Sequence, residues 1–274
     1  MNIVLVHGIL GFSHLDVPLA PIDYFAGIAE FLRTSLQASV IAPTLDPTAG
    51  IQVRADMLRA AIQAALTANG LQAGEPIHII AHSMGGLDSR RMIAQNPTFD
   101  ANGARSVVRT LATISTPHRG SPIADLVALK FLEHIPLLSS VAKETDAALG
   151  KLLAHFRISL DGLHDLTSES ADRFNAANPD QPNVKYLSYA GGGRQGPIPT
   201  SQFLLPFYRF IQAHSKSHEP NDGLVTISSA TWGTFDPDLW PCDHADEIGH
   251  DLDRPLDKPD LPLLQRYAKI VAQF

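Results

Sequence analysis

Two short apolar segments restrict the fold of this sequence more than any other feature. They are Asn2–Val6, with the sequence NIVLV, and Pro76–Ala81, with the sequence PIHIIA. Neither alternates regularly between apolar and polar residues, which is typical of a parallel strand that is buried on both faces. The two segments therefore predict a parallel sheet with helices packed on either side.

Helical and strand patterns alternate along the first half of the chain. Apolar residues recur at helical spacing over 51–66, and Gly70 ends that pattern. We further predict helices over 24–36, 85–94, 165–177 and 261–272, and strands over 39–43, 107–114 and 184–190. This alternation favours a single α/β domain over residues 1–274, with a mostly parallel central sheet.

The alternation stops after Pro117. From about residue 123 to residue 164 the sequence is helical in pattern, rich in Leu and Ala, and without an obvious strand. We interpret this segment as a helical insertion that lies over the sheet.

Charge and cysteine content exclude several classes of function. The formal net charge is −7 and the isoelectric point is about 5.9, so the chain has no global positive field that would attract nucleic acid. Cys242 is the single cysteine, which excludes an intramolecular disulfide and a multi-cysteine metal site. The sequence has no signal peptide and no apolar run of membrane-spanning length, so its default compartment is the cytoplasm.

The segment Ala81–Gly86, with the sequence AHSMGG, lies between a predicted buried strand and a predicted helix. A serine hydroxyl is a weak nucleophile unless a sharp turn presents it to a base, and small residues at Ala81 and Gly85 allow such a turn. Ser83 is therefore the candidate nucleophile, with Ala81 in place of the usual first glycine. The alternative is a simple helix N-cap with a small-residue contact.

A second motif supports the catalytic interpretation. Residues His7–Gly11, with the sequence HGILG, directly follow the first strand, where hydrolases of the α/β-hydrolase fold place an oxyanion donor. The backbone N–H groups of Ile9 and Met84 are therefore the candidate oxyanion hole. His82, beside the nucleophile, is expected to have a packed or hydrogen-bonded structural role.

The acid and base should follow the nucleophile in the order Ser, acid, His. Asp222 lies in a sharp turn before an apolar run, and His244 follows it by 22 residues. Asp222 would fix the imidazole tautomer, and His244 would accept the proton of Ser83. The alternatives are an Asx turn at Asp222 and a surface-loop histidine at His244. Rival candidates are Asp236, Asp238 and His250.

With these motifs the chain resembles the true bacterial lipases, the triacylglycerol hydrolases of Pseudomonas, Burkholderia, Proteus and thermophilic Bacillus. The resemblance extends over nearly the whole chain. The matching segments are Val4–Phe12, the Ser83 turn, Ser115–Ser121, Leu166–Glu169 with Phe174 and Asn175, Tyr186–Tyr189, Asn221–Val225, and Asp243 with His244. The resemblance implies catalytic Ser83, Asp222 and His244, oxyanion donors Ile9 and Met84, and a triacylglycerol lipase that acts through an acyl-enzyme.

The resemblance also implies that the helical insertion is a lid. Its apolar face would be formed by Leu126, Leu129, Phe131, Leu132, Ile135, Leu137 and Leu138. A lid that swings aside would expose an apolar patch to a lipid–water interface. The alternative is a buried helical cap that does not open.

No cofactor is required for the chemistry, but the resemblance implies a structural Ca²⁺ ion. In the lipases that the chain resembles, carboxylates just after the catalytic histidine help to bind Ca²⁺, and Asp246 and Asp251 occupy matching positions. An aspartate that the Pseudomonas-like members place about twenty residues before the acid is absent, because no Asp lies between Asp180 and Asp222. The alternative is an acidic surface loop without metal.

Other functions use the same fold. A short-chain carboxylesterase, a polyester depolymerase or an acyltransferase would use the same three residues, and a catalytically silent binding protein would use none of them. We therefore expect a lipid or other ester as the partner, and neither nucleic acid nor a transmembrane segment. The family resemblance favours secretion, in contrast to the cytoplasmic default, so the compartment stays open.

Overall fold

The computed structural model describes residues 1–9, 15–17, 20–133, 160–215, 218–254 and 259–274. Within these residues a seven-stranded sheet has the order β4-β1-β5-β7-β8-β9, with β6 paired to β7. All pairs are parallel except β6 with β7. The sheet strands are β1 (Asn2–Val6), β4 (Ser39–Ile41), β5 (Ile77–His82), β6 (Thr98–Ala101), β7 (Ala104–Ile114), β8 (Lys185–Tyr189) and β9 (Thr234–Phe235), and β2 (Leu15–Val17) forms a separate hairpin with β3 (Ala20–Ile22).

Helices follow most of these strands. They are α1 (Ile28–Ser35), α2 (Ile51–Thr67), α3 (Gly85–Gln95), α4 (Pro122–Glu133), α5 (Leu160–His164), α6 (Ser168–Ala177), α7 (Leu205–His214), α8 (Ile227–Ala230) and α9 (Leu261–Val271), with a 3₁₀ turn at Asp246–Ile248. Among the described residues, no helix is both long enough and apolar enough to span a membrane.

Alternate residues of β1 enter the two cores on opposite sides of the sheet. Val4 and Val6 pack in the core that includes Leu58 and Ile62 of α2, whereas Ile3 and Leu5 belong to the core that includes residues of α1 and α9. Every residue of β1 and β5 is buried. Burial on both faces explains why these segments lack polar alternation, and the predicted parallel sheet with helices on both sides is confirmed.

Some predicted boundaries were wrong for local reasons. The helix predicted over 24–36 begins only at Ile28, because the Asp23 carboxylate accepts the N–H groups of Phe25 and Gly27 in a turn. Gly27 then adopts a left-handed φ of 81°, which a helix does not accommodate. The turn keeps Tyr24 near the end of β1, where its hydroxyl contacts the candidate site.

Part of the predicted insertion lies outside the described residues. The structure describes its beginning, α4, and its end, α5, but not residues 134–159. Ile123, Leu126 and Val127 of α4 pack in one core with Phe207 and Ile211 of α7. Leu126, predicted for the apolar lid face, is therefore part of a packed core at the base of the insertion.

Candidate active site

Ser83 occupies a sharp turn between β5 and α3. Its φ of 54° lies in the left-handed region, which is rare for a residue other than glycine and is a strain that functional sites tolerate. The turn is held from both sides, because the Ser83 N–H donates to Ile114 O (2.9 Å) and the Thr116 hydroxyl donates to Ser83 O (2.7 Å). The sequence AHSMGG thus forms the strand-to-helix turn that the motif predicts.

Glycines allow this turn to lie directly against the end of β1. A Cβ atom on Gly85 would lie 2.5 Å from Val6 O and 2.7 Å from His7 O. A Cβ atom on Gly8 would lie 2.7 Å from the Ser83 Cβ and 3.2 Å from the Ser83 Oγ. Only glycine fits at these two positions, so the HGILG segment and the Ser83 turn form one compact unit.

The predicted oxyanion donors directly follow the two parts of this unit, Ile9 after Gly8 and Met84 after Ser83. The side chains of Ile9 and Met84 belong to the same apolar cluster. Within the part of the chain that the structure describes, neither the Ile9 N–H nor the Met84 N–H donates to a protein acceptor. Both groups therefore stay candidate donors to a negatively charged oxygen, and at the start of α3 the helix dipole would add to the attraction.

A buried arginine fixes the backbone that precedes Ile9. Arg54 Nη2 donates to His7 O (2.7 Å) and to Gly8 O (3.2 Å), and its Nε pairs with Asp88 (2.8 Å). Because the carbonyl groups of residues 7 and 8 are held by the guanidinium, the peptide N–H groups of this loop keep a fixed direction. Such preorganisation is what makes an oxyanion hole effective.

Asp222 and His244 are brought together as the sequence predicts. Asp222 Oδ2 lies 2.7 Å from His244 Nδ1, and the His244 N–H donates to Asp222 O (3.0 Å). The second oxygen, Asp222 Oδ1, accepts the N–H groups of Leu224 (2.8 Å) and Val225 (2.7 Å). The Asx turn weighed as an alternative is thus present together with the His244 contact, and the turn aims the carboxylate at the imidazole.

The ring of His244 lies beside the nucleophile turn. Its centroid is 4.4 Å from that of His82, the residue that precedes Ser83. The hydrogen bonds of the described residues do not include one between Ser83 Oγ and His244 Nε2. Contacts of this kind commonly tighten only when substrate is bound.

The rival acids and base have other partners. The His250 Nε2 lies 2.9 Å from Asp23 O and 3.0 Å from Tyr24 O, so this ring binds the backbone of the turn that precedes α1. Asp238 lies near Arg266 and Lys269 on the surface, and the Asp236 carboxylate caps the N–H of Asp238. The structure brings none of these three residues to Ser83.

A buried acid that the sequence did not single out lies behind His244. Glu247 is completely buried, and its Oε2 is 3.9 Å from His244 Nδ1 and 3.0 Å from His82 Nε2. Its Oε1 accepts the Ser115 hydroxyl at 2.5 Å. Burial, followed by the charge of Asp222, raises the pKa of Glu247 well above its usual range.

Tyr24 connects the surroundings of this buried acid to Gly8, in the loop that follows β1. Its hydroxyl accepts the Gly8 N–H (3.0 Å) and lies 2.7 Å from His82 Nδ1. Burial raises the pKa of Tyr24 and lowers the pKa of His82 well below its usual range, so the phenol is protonated and the imidazole is neutral. The phenol therefore donates to His82 Nδ1, and His82 Nε2 donates to Glu247. This agrees with the hydrogen-bonded role expected for His82.

His82, His244 and Glu247 also form the one group among the described residues whose spacing could suit a metal ion. However, both ring nitrogens of His82 and the Nδ1 of His244 already have hydrogen-bond partners. The group is therefore a hydrogen-bonded network of the site.

The two predicted calcium ligands both bind an arginine. Arg194 donates from Nε and Nη2 to the two oxygens of Asp246 (2.8 and 2.7 Å) and from Nη2 to Asp251 Oδ1 (2.9 Å). A Ca²⁺ ion needs six to eight oxygen ligands, and here a guanidinium already lies between the two carboxylates. These residues do not fit a calcium ion in this arrangement.

The comparisons with known proteins agree with this geometry. Residues 48–217 match the family described as PGAP1-like alpha/beta domain. Triacylglycerol lipase 2 of Saccharomyces cerevisiae is 33% identical over 84% of this chain, and the chain spans 63% of that relative's length. A triacylglycerol lipase of Vibrio cholerae is 28% identical over 90% of this chain and 78% of its own length.

The solved structures give the same fold. The Staphylococcus hyicus lipase superposes with a TM-score of 0.70 at 19% sequence identity, covering 99% of this chain and 94% of that one. The predicted α/β-hydrolase fold and the predicted relationship to bacterial lipases are confirmed. The chain belongs to the PGAP1-like alpha/beta domain family, within the α/β-hydrolase superfamily that includes the bacterial lipases.

Proposed function

We propose that the protein hydrolyses the carboxylic esters of a lipid, most simply a triacylglycerol, through an acyl-enzyme on Ser83. The observation that carries this proposal is the buried Asp222–His244 pair at 2.7 Å, beside a serine with a left-handed φ of 54°. The yeast and Vibrio relatives named as triacylglycerol lipases support the choice of substrate class.

In the first half of the reaction, Ser83 Oγ attacks the ester carbonyl carbon and its proton passes to His244 Nε2. Asp222 stabilises the imidazolium and keeps Nε2 directed at the serine. The negative oxygen of the tetrahedral intermediate accepts the N–H groups of Ile9 and Met84. The carbonyl then re-forms, the alcohol leaves with the proton from His244, and the acyl group stays on Ser83.

In the second half, water gives a proton to His244 and attacks the acyl-enzyme carbonyl. Collapse of this second intermediate releases the carboxylic acid, and Ser83 Oγ takes back its proton. All reacting groups belong to this chain, and no cofactor takes part. A Ca²⁺ ion at Asp246 and Asp251 takes no part in this reaction, because Arg194 binds both carboxylates.

Substrate access is proposed to involve the insertion. The packing of α4 against α7 provides a fixed base, and the apolar residues predicted beyond it would cover the site and meet a lipid–water interface. Such a cover should make hydrolysis more efficient when the substrate is present as droplets than when it is monomeric.

The test is hydrolysis of p-nitrophenyl esters from acetate to palmitate by the wild-type protein and by Ser83→Ala. We expect activity that increases with acyl length and is lost in Ser83→Ala, with Ser35→Ala, on the exposed end of α1, as the matched control. Activity on acetate alone would assign a short-chain esterase. Absence of activity on every ester would contradict the proposal and favour a binding protein of this fold.

A further inference from the structure

Arg194 lies at the centre of four aspartates. In addition to Asp246 and Asp251, its Nη1 donates to Asp253 Oδ2 at 2.9 Å, and its Nη2 lies 3.4 Å from Asp243 Oδ2. The arginine comes from the loop that follows β8, whereas all four aspartates belong to the segment around His244. One guanidinium thus joins two loops that are about fifty residues apart in sequence.

The aspartates hold the backbone on both sides of His244. Asp243 Oδ1 accepts the N–H groups of Ala245 (3.0 Å) and Asp246 (3.1 Å), and the Asp243 N–H donates to Asp246 Oδ2 (2.8 Å). Asp243 Oδ2 also accepts the N–H of Ser201 at 2.7 Å. The position of the His244 ring therefore depends on how Asp243 and Asp246 are fixed, and Arg194 contacts both.

This arrangement needs a cation. Asp243 is fully buried and Asp246 is mostly buried, so their mutual repulsion is poorly screened by solvent. An arginine guanidinium stays protonated in proteins, so Arg194 brings a fixed positive charge between these carboxylates. Within the described ranges, removal of Arg194 would leave the four carboxylates with only the exposed Arg254, whose Nε lies 4.0 Å from Asp251 Oδ2, as a counter-charge.

We propose that Arg194 is a positioning residue for His244, and that its guanidinium supplies the positive charge that a bound Ca²⁺ ion would otherwise supply to this loop. The protein is therefore independent of calcium. This inference rests on the proposed function, because that function makes His244 the base. The contacts of Arg194 do not depend on it.

The shape of the site supports a guanidinium rather than a metal ion. Asp246 receives two parallel N–H groups, which is the bidentate geometry that a planar guanidinium offers and that lysine does not reproduce. Among the described residues, no group with the spacing of metal ligands includes Asp246 or Asp251.

The experiment compares the wild-type protein with Arg194→Ala, Arg194→Lys and a control, Arg105→Ala. Arg105 also pairs with an aspartate, Asp100, but on an exposed hairpin away from the site. For each protein we would measure kcat and KM on p-nitrophenyl butyrate and the Tm, with a chelator or with millimolar CaCl₂. Calorimetric titration with CaCl₂ would test calcium binding directly.

The expected result is a gain of calcium response in one variant only. In Arg194→Ala, kcat should fall by roughly 10- to 100-fold with little change in KM, as for other residues that orient a catalytic group. Added CaCl₂ should restore most of kcat and raise the Tm, because Ca²⁺ can neutralise the carboxylates that Arg194 no longer contacts. The wild type and Arg105→Ala should respond neither to chelator nor to CaCl₂, and Arg194→Lys should lie between.

Three outcomes would overturn the inference: calorimetric Ca²⁺ binding by the wild type, unchanged kcat in Arg194→Ala, or lost kcat that CaCl₂ does not restore. If Arg194→Ala fails to fold, the kcat of Arg194→Lys and the calorimetric CaCl₂ titration of the wild type still test the inference. If the wild type hydrolyses no ester, the proposed function is contradicted instead. The Tm and the calorimetric titrations would then still test whether Arg194 takes the place of calcium.

Discussion

Replacement of Asp222 by asparagine should change the tautomer of His244 while it preserves the packing. Asp222 Oδ1 accepts two backbone N–H groups, from Leu224 and Val225, so the amide oxygen of the asparagine must take that position. The amide NH₂ then faces His244 Nδ1, 2.7 Å away in the wild type. Nδ1 is forced to accept, Nε2 carries the proton, and the imidazole cannot accept the proton of Ser83.

The size of the effect follows from this exchange of donor and acceptor. A triad with the wrong histidine tautomer loses about 10⁴-fold in kcat, which corresponds to about 5.4 kcal/mol of transition-state stabilisation. Because the asparagine keeps both backbone hydrogen bonds of the turn, the Tm should change by only a few degrees.

Asp222→Ala should lose less activity than Asp222→Asn. Glu247 Oε2 lies 3.9 Å from His244 Nδ1, and the charge of Asp222 is the second cause of the raised pKa of Glu247, after burial. Removal of Asp222 takes away this second cause and leaves Glu247 as the acid near His244 Nδ1 that can accept the Nδ1–H. We expect a loss on the order of 10²-fold, within the range of general-base contributions.

The assay is the kcat/KM of p-nitrophenyl butyrate hydrolysis for the two variants, with Asp236→Asn as the matched control at a rival acid. The double variant Asp222→Ala with Glu247→Gln should fall to the level of Asp222→Asn. If Asp222→Asn keeps more than a tenth of the wild-type kcat/KM, or if it is more active than Asp222→Ala, the tautomer argument is refuted.

Three further predictions test the surroundings of the nucleophile. Gly8→Ala should reduce kcat/KM by at least about 10²-fold, because the new Cβ would lie 2.7 Å from the Ser83 Cβ. Tyr24→Phe should lower the free energy of unfolding by about 1 to 3 kcal/mol and also reduce kcat, because the Gly8 N–H and His82 Nδ1 lose their partner. His7 should stay neutral down to about pH 4, because burial, followed by the charge of Arg54, lowers its pKa from 6.5 to about 4.

The controls and contradicting results are specific to each case. Gly70→Ala, where a Cβ meets nothing closer than 3.5 Å, should keep full activity, and equal activity of Gly8→Ala would be inconsistent with the packing. Tyr208→Phe on α7 is the control for Tyr24→Phe. Tyr24→Phe should have the lower free energy of unfolding, and equal values for the two variants would contradict the role of the Tyr24 hydroxyl. Because the pKa of His7 is lower in the folded state, the unfolded chain binds a proton more readily between pH 6.5 and 4. The free energy of unfolding should therefore be about 3 kcal/mol higher above pH 6.5 than at pH 4. An NMR titration of His7 near pH 6.5 would contradict this.

Local sequence signals were sufficient for much of the fold. The buried strands and the Ser83 turn depend on neighbouring residues and were predicted correctly. The antiparallel strand β6 was missed, although Asn102 and Gly103, with φ values of 51° and 75°, form the Asn-Gly turn that is a strong hairpin signal. Helix α7 was also missed, although Phe207, Phe210 and Ile211 follow helical spacing.

Long-range partners could not be predicted in the same way. The contact of His82 with Glu247 spans 165 residues, and Tyr24 reaches His82 across 58 residues. Nothing in the sequence around Glu247 distinguishes it from a surface acid except that it lies three residues after His244. Similarly, the acidic segment after His244 indicated a cation, but the sequence does not reveal that Arg194, from another loop, provides it.

The central claim is that Ser83 is the nucleophile and His244 is its base, and covalent labelling with a fluorophosphonate followed by peptide mass spectrometry tests it most directly. We predict one label, on the peptide that contains Ser83, in the wild type and in His250→Gln. The label should be absent in Ser83→Ala and strongly slowed in His244→Gln. A label on another serine, or equal labelling rates in His244→Gln and the wild type, would contradict the account.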